Sequence, residues 1–207
     1  MSGHPVLQPT LLGNEGPSFD PSFAGMQRRE LGYESWIDQA QGFLAGHRTV
    51  FDALRDDTRW HGHRRLMYDR MVDVPRLTAS IPRDGPGHPV IREIADALSE
   101  RYGATFDLVA LALYRDGQDS VAWHRDKARR ERRGQALVAT LSLGESRRFL
   151  VRPHGGGPAV TFSAGWGDLL VMGGACQLHW EHCVPKAQQA GPRISVMFRS
   201  SADFVRF

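Results

Sequence analysis

Residues 108–143 have the sequence LVALALYRDGQDSVAWHRDKARRERRGQALVATLSL, in which three short apolar runs alternate with polar and glycine-containing segments. Each run has the length of a β-strand, and turn-forming residues such as Asp116-Gly117 separate the runs. Similar runs continue to residue 200. The eight predicted strands are residues 108–114, 121–126, 136–143, 148–152, 159–162, 168–172, 177–183 and 193–200. So many short strands at close spacing predict a mainly β protein, a sandwich or jelly roll, rather than a parallel sheet.

The residues before Gly103 have a helical rather than a strand-like apolar pattern. Helices are predicted to start at Ser35 and at Thr49, and a third begins near Pro89 and ends at Gly103. These helices would flank the β core. The predicted division is an N-terminal arm at 1–30 and one domain at 31–207, with helices at 31–103 and the β core at 104–207.

The composition is that of an ordinary globular protein. Of 207 residues, 41% are hydrophobic and 24% are charged, which suits one compact core. No apolar run approaches the roughly 18 residues that a membrane helix needs, and the first residues lack the pattern of a secretory signal. Cys176 and Cys183 show no paired metal-ligand spacing, and so few cysteines suit a reducing compartment. We expect a cytoplasmic monomer with no membrane partner.

A metal site is indicated by His124 and Asp126. The two residues are two positions apart in a predicted strand, so their side chains leave the same face. Two histidines and one carboxylate form the facial triad that binds Fe(II) and leaves positions open for a co-substrate and oxygen. His182 is the candidate third ligand and His179 the alternative, because residues three apart in a strand point to opposite faces.

Two arginines in the last predicted strand suit a dicarboxylate. Arg193 and Arg199 are six positions apart, so both lie on one face. Inward guanidinium groups need anionic partners, and arginine binds carboxylates in a bidentate manner. A dicarboxylate such as 2-oxoglutarate has one carboxylate at each end, and Tyr114 offers a hydroxyl to the same molecule.

Basic residues crowd the segment that follows the His-x-Asp pair. We define the basic segment as residues 125–133, RDKARRERR. Such a cluster is often only a solvated surface, but beside a candidate metal site it suits contact with nucleic-acid phosphates.

Five segments resemble the motifs of the AlkB-type oxidative dealkylases in order and spacing. They are YRDGQDSVAWHRDK at 114–127, LSLGESRRF at 141–149, GDLLVMGG at 167–174, HWEHCVPK at 179–186 and RISVMFR at 193–199. The resemblance begins at residues 74–78, VPRLT. It implies a double-stranded β-helix (jelly roll) with an N-terminal lid that grips a nucleotide.

The resemblance also implies roles for individual residues. His124, Asp126 and His182 would bind iron, with His182 as the ligand rather than His179. Arg193 and Tyr114 would hold the far carboxylate of 2-oxoglutarate, and Arg199 would serve the carboxylate nearer the metal together with Asp126. The expected substrate contacts are Trp123, Arg76 within the segment 74–80, and the basic residues Lys127, Arg129, Arg130 and Arg133.

The activity implied by the resemblance is oxidative removal of alkyl groups from bases of DNA, or of RNA, with Fe(II), 2-oxoglutarate and O₂. Iron chemistry on a protein or a small molecule is the alternative, and a nucleic-acid-binding module without catalysis is a third reading. A base inside a duplex cannot reach a buried iron, so the enzyme would flip it out or use single strands.

Three positions depart from the pattern of the family. Ala112 stands where relatives often carry asparagine two residues before the tyrosine, and Ser195 stands for an asparagine between the two arginines. Ala128 replaces an acidic residue that often contacts the damaged base. Because of Ala128, the resemblance does not determine whether this chain prefers cationic methyl lesions or other adducts.

Overall fold

The computed structural model of the chain describes residues 16–67, 70–81 and 87–204. Within these ranges the chain forms antiparallel strands and a few helices. The strands are β1 (Ser18–Phe19), β2 (Gln27–Gly32), β3 (Ser35–Ala40), β4 (Leu44–Ala45), β5 (His61–Met67), β6 (Arg70–Ile81), β7 (Leu108–Tyr114), β8 (Val121–His124), β9 (Val138–Gly144), β10 (Arg147–Pro153), β11 (Val160–Ala164), β12 (Leu169–Gly174), β13 (Trp180–Val184) and β14 (Arg193–Arg199). The helices are α1 (His47–Asp57), α2 (Pro89–Tyr102) and α3 (Cys176–His179), with a 3₁₀ turn at Arg130–Arg132.

Two sheets build the core of the fold. The major sheet has the strand order β2-β3-β12-β9-β14-β7-β6-β5, and the minor sheet has the order β11-β10-β13-β8. One apolar layer joins them, in which Val138 and Leu170 of the major sheet cluster with Phe149, Val151 and Phe162 of the minor sheet. Two antiparallel sheets that face each other across one apolar layer confirm the predicted jelly roll.

The helices cover the other face of the major sheet. Side chains of α1 and α2 share a second core with alternate residues of the sheet, such as Leu111, Leu141 and Val196. Both helices confirm predictions from the sequence. For α2, Pro89 lies in the first turn and Gly103 ends the helix at a φ of 60°. None of the helices in the described ranges combines the length and apolarity needed to cross a bilayer.

The helix predicted to start at Ser35 is wrong, because this segment is strand β3. It lies inside the major sheet between β2 and β12, where both of its edges find hydrogen-bond partners. Its alternate residues serve the two cores, since Ile37 belongs to the layer between the sheets while Ala40 belongs to the layer under the helices. The helical spacing of apolar residues was therefore a consequence of burial on both faces.

The predicted arm at 1–30 also needs correction. Residues 27–30 belong to β2 and pair with β3 at the edge of the major sheet, so the sheet begins inside the segment predicted as an arm. Residues 1–15 lie outside the described part of the chain.

Strands replace part of the helical region predicted at 31–103. β5 and β6 form an antiparallel hairpin, and residues 77–81 of β6 also pair with β7 and join the hairpin to the major sheet. This hairpin occupies the part of the sequence where the family resemblance implies the lid.

Candidate metal and co-substrate site

Three side chains meet between the two sheets at one end of the fold. The donor atoms of His124, Asp126 and His182 all lie within 4.8 Å of one another. His124 ends the edge strand β8 of the minor sheet and stands directly opposite His182 on β13. Two imidazoles and one carboxylate at this separation can bind one ion, and the set is that of the Fe(II) facial triad.

A β-bulge aims the His124 ring. The register shifts between the pairs His124–His182 and Val121–Val184, because two residues of β8 lie between these positions and only one residue of β13 does. Within the bulge, the Ala122 carbonyl lies 2.9 Å from Nδ1 of His124. When Nδ1 donates this hydrogen bond, Nε2 carries the lone pair that a metal needs.

Asp126 lies two residues beyond the end of β8, so strand alternation does not place it as the sequence predicted. Its backbone N–H donates to Oε1 of Gln177 at 3.0 Å, and Nη2 of Arg199 donates to its Oδ1 at 2.7 Å. Burial acts to raise the pKa of Asp126, but the positive charge of Arg199 and its hydrogen bond hold this pKa below its ordinary value. The carboxylate is therefore charged and ready to bind a cation.

Gln177 was missed by the sequence reasoning. It lies in α3, the first part of the segment predicted as a strand at 177–183, and is 1% exposed. Nothing in the sequence separates it from other glutamines, because its function depends on the backbone of a loop 51 residues away.

His182 is a buried neutral imidazole. Its ring stacks on Phe149 at a centroid distance of 5.2 Å, and burial lowers its pKa to about 3. His179 is instead exposed at the end of α3, where its ring lies 5.3 Å from that of Tyr33. The side chain of His182, and not that of His179, therefore lies beside those of His124 and Asp126.

The low pKa of His182 predicts a pH-dependent stability of the metal-free protein. Folding depresses this pKa from 6.5 to about 3, so the unfolded chain binds one more proton between these values. The free energy of unfolding should therefore fall as the pH drops below about 6.5, by about 1.4 kcal/mol per pH unit from this residue. Chemical denaturation between about pH 7 and pH 4.5 measures the slope. A His182→Ala variant should lose this contribution, and an unchanged slope would show that the imidazole titrates normally.

A buried guanidinium lies deeper between the sheets. Arg193 is 1% exposed, and its Nε donates to the Ala164 carbonyl at 3.0 Å while Nη2 donates to Oγ of Ser142 at 2.7 Å. Its Nη1 is buried without a hydrogen-bond partner among the described residues. The guanidinium carbon lies 5.3 Å from the centroid of the Tyr114 ring. A buried guanidinium with one N–H group that lacks an acceptor among the described residues suits a carboxylate of 2-oxoglutarate as its partner.

The two arginines share one face of β14, as the spacing predicted. Ile194, Val196 and Phe198 belong to the core under the helices, so the alternate residues Arg193, Ser195 and Arg199 face the minor sheet. Arg199 contacts the metal ligand Asp126 while Arg193 lies six residues away. The residues therefore fit a metal ion and a dicarboxylate that extends from it into the protein.

The predicted substrate contacts fall into two groups. Trp123 points to the outer face of the minor sheet, where the Arg152 guanidinium lies 4.0 Å from its ring, and its contact with the substrate stays a prediction. Its neighbour His124 faces inward, and successive residues of a strand point to opposite sides. Arg76 lies on β6 and its Nη1 donates to the Ser120 carbonyl at 3.3 Å, next to the start of β8.

The basic segment starts at the metal ligands and is largely open to solvent. Lys127, Arg129 and Arg130 are exposed, whereas Nε of Arg133 donates to the Ala128 carbonyl at 3.4 Å. Arg132 has a structural role, because its Nε donates to Asp203 at 2.6 Å. The exposed cations thus follow the ligand Asp126 directly along the chain and face solvent rather than the interior of the site.

The chain is similar in sequence to known proteins. The profile of the 2OG-Fe(II) oxygenase superfamily matches residues 44–199. Human alpha-ketoglutarate-dependent dioxygenase alkB homolog 3 is 33% identical over 173 residues, which cover 73% of this chain and 60% of that protein. Human DNA oxidative demethylase ALKBH2 is 32% identical over 123 residues, which cover 55% of this chain and 47% of that protein. The chain therefore spans less than two-thirds of the length of these relatives.

Solved structures of low sequence identity have the same fold. OsALKBH1 superposes with a TM-score of 0.61 at 14% identity, over 84% of this chain and 100% of that chain. A prolyl hydroxylase from Trichoplax adhaerens superposes with a TM-score of 0.59 at 13% identity, over 80% of this chain and 84% of that chain. The match over residues 44–199 shows that the chain belongs to the 2OG-Fe(II) oxygenase superfamily, and its three converging side chains are a set that would hold the iron(II) of this family.

Proposed function

We propose that the enzyme removes alkyl groups oxidatively from nitrogen atoms of nucleic-acid bases. The observation that carries this proposal is the position of the basic segment, which begins between the candidate iron ligands His124 and Asp126 and exposes Lys127, Arg129 and Arg130 to solvent. An oxygenase that acts on a small apolar substrate has no need of such a cluster, whereas an enzyme that binds a nucleic acid uses exposed cations to contact its phosphates. The relatives named as a DNA oxidative demethylase support the same substrate class.

Each residue of the site has a defined task in this reaction. When bound, iron(II) with O₂ and 2-oxoglutarate supplies oxidation of the alkyl carbon, with succinate and CO₂ as the products of the co-substrate. Arg193 would bind the carboxylate far from the metal, and Arg199 orients Asp126 through their hydrogen bond of 2.7 Å. Burial of these groups between the sheets excludes water from the reacting atoms. The target base must leave its stack to reach them.

The test is succinate release by the iron-loaded enzyme with methylated and etheno-modified DNA and RNA oligonucleotides. Unmodified oligonucleotides of the same sequence are the control. Turnover that one modified oligonucleotide stimulates supports the proposal and identifies the lesion. Turnover that no oligonucleotide stimulates contradicts it and leaves a protein or a small molecule as the substrate.

Charge reversal in the basic segment should weaken oligonucleotide binding. The double variant Arg129→Glu, Arg130→Glu removes two exposed cations beside the site, so the slope of log affinity against log salt should fall by about 0.7 to 0.9 for each lost phosphate contact. Fluorescence anisotropy over a salt series measures this slope.

The matched control for that variant is Arg48→Glu, Arg59→Glu. Both arginines are exposed and lie in or just after α1, on the helical face of the molecule, and their reversal changes the net charge equally. If the two double variants lose affinity to the same extent, only overall charge matters and the basic segment does not contact the substrate.

A further inference from the structure

The turn between β2 and β3 presents an aromatic ring to solvent in an unfavourable backbone conformation. Tyr33 is 68% exposed, and both Tyr33 and Glu34 have a φ of 54°. Left-handed backbone is rare for a bulky residue and costs free energy, so the surrounding structure must hold it. Such strain at an exposed ring is a reason to look for a function.

Short helix α3 holds this turn in place. The Glu34 carbonyl accepts a hydrogen bond of 3.1 Å from the N–H of Ala175, and the Gly32 carbonyl accepts one of 3.4 Å from the indole of Trp180. The Tyr33 ring lies against the ring of His179 at 5.3 Å with an interplanar angle of 32°. The tyrosine is therefore fixed from both sides of the turn rather than free to collapse onto the surface.

Apolar and aromatic surface is concentrated here. Three large hydrophobic side chains are strongly exposed in the described part of the chain, and Tyr33 and Leu178, which is 40% exposed, are two of them. The adjacent His179 is exposed as well. We define the rim patch as Tyr33, Leu178 and His179.

The rim patch is connected directly to the metal loop. The Leu178 carbonyl accepts a hydrogen bond of 2.9 Å from Nη1 of Arg125, and the preceding Gln177 accepts the backbone N–H of the iron ligand Asp126. α3 has four residues, which corresponds to a length of about 6 Å. The patch thus lies beside the loop that carries the candidate ligand Asp126, and the basic segment starts at the same loop.

We propose that the rim patch is a stacking platform for an unpaired nucleobase next to the target nucleotide, an inference that rests on the proposed function. Aromatic side chains beside a cationic track are the means by which proteins bind single strands, since every base offers a π-face. The basic segment supplies the track for the phosphates. A base inside a duplex has both faces occupied by its neighbours, so the platform selects single-stranded nucleic acid.

The experiment compares Tyr33→Ala with the wild-type enzyme on a single-stranded oligonucleotide that contains the modified base. Loss of stacking on one base should weaken binding about five- to hundredfold and raise KM for the oligonucleotide. Affinity for a duplex of the same sequence should change less than about twofold. A 2-aminopurine placed beside the modified base should be quenched by the wild-type enzyme and not by Tyr33→Ala, while Tyr33→Trp should restore the quenching.

Two further variants separate stacking from folding. Tyr33→Asn removes the ring but suits left-handed backbone, so it should bind as weakly as Tyr33→Ala even if the alanine variant is unstable. Trp166→Ala is the matched control, because Trp166 is 48% exposed and has a φ of 48°. It lies at the opposite end of β12, roughly 20 Å away along the strand, and its loss should leave oligonucleotide binding unchanged.

The outcomes distinguish this inference from the function on which it rests. If no oligonucleotide stimulates succinate release by the wild-type enzyme, the proposed function itself fails. If a modified single strand is turned over but Tyr33→Ala and Tyr33→Asn bind it as the wild type does, only the platform is overturned. An equal loss of affinity for single strand and duplex would overturn the assignment to an unpaired base.

Discussion

His182→Ala is expected to reduce succinate release more than about a hundredfold, since changes even to groups that only support a metal ligand cost 10- to 100-fold. The variant removes one of the three donors that converge within 4.8 Å, and His179, the alternative ligand considered from the sequence, cannot replace it because its side chain is exposed at the end of α3. The remaining imidazole and carboxylate bind a divalent ion weakly. Calorimetric titration with Mn(II) should therefore show the loss of affinity directly, without turnover.

The fold should survive this substitution. His182 is neutral, and the variant loses its stacking on Phe149, so we expect a lower Tm in the metal-free protein but an unchanged circular dichroism spectrum. His154→Ala is the control, because His154 is exposed on the outer side of the minor sheet and contacts Glu181. If His182→Ala keeps its turnover and its affinity for Mn(II), the assignment of this residue as a ligand is wrong.

Arg193→Met is expected to raise KM for 2-oxoglutarate between about thirtyfold and several thousandfold, the range for losing one partner of a buried, hydrogen-bonded charge pair. The variant preserves much of the side-chain volume and removes the cation whose Nη1 lacks a partner among the residues described. Binding of a ligand stabilises the folded state. The increase in Tm that 2-oxoglutarate and Mn(II) together produce in the wild-type enzyme should therefore be lost.

Arg193→Lys provides the graded comparison. A lysine retains the charge but not the planar fork that also contacts Ala164 and Ser142, so its KM should fall between those of the wild type and the methionine variant. Arg148→Met is the control, because Arg148 is exposed on β10. If Arg193→Met has the same KM for 2-oxoglutarate as the wild type, a residue other than Arg193 binds the far carboxylate of the co-substrate.

The sequence predicted the parts of the molecule that are determined locally. Helix α2 carries its own start and stop signals in Pro89 and Gly103, and β7 and β14 show strict alternation between residues for the two faces. The candidate ligands and the two arginines were identifiable because their residue types are uncommon in buried strands. In the structure, the donor atoms of the three candidate ligands lie within 4.8 Å of one another, as expected from the strands on which their motifs lie.

Features that depend on distant partners were not predictable in this way. Strand β3 pairs on one edge with the adjacent β2 but on the other with β12, more than 120 residues later in the chain, and no window of sequence contains both β3 and β12. Gln177 and Tyr33 are ordinary residues that acquire a function only where α3 meets the metal loop and the β2–β3 turn. The bulge beside His124 was not visible in the sequence either, because it depends on the pairing of β8 with β13.

The alternation of β14 links catalytic competence to the fidelity of folding. A shift of this strand by one residue against β7 and β9 would carry Arg193 and Arg199 into the apolar layer beneath the helices and expose Ile194 and Phe198 between the sheets. Such a misregistered chain keeps its content of secondary structure, so circular dichroism does not distinguish it from the native protein. The fraction of refolded molecules that bind 2-oxoglutarate is therefore a count of correctly paired β14 strands.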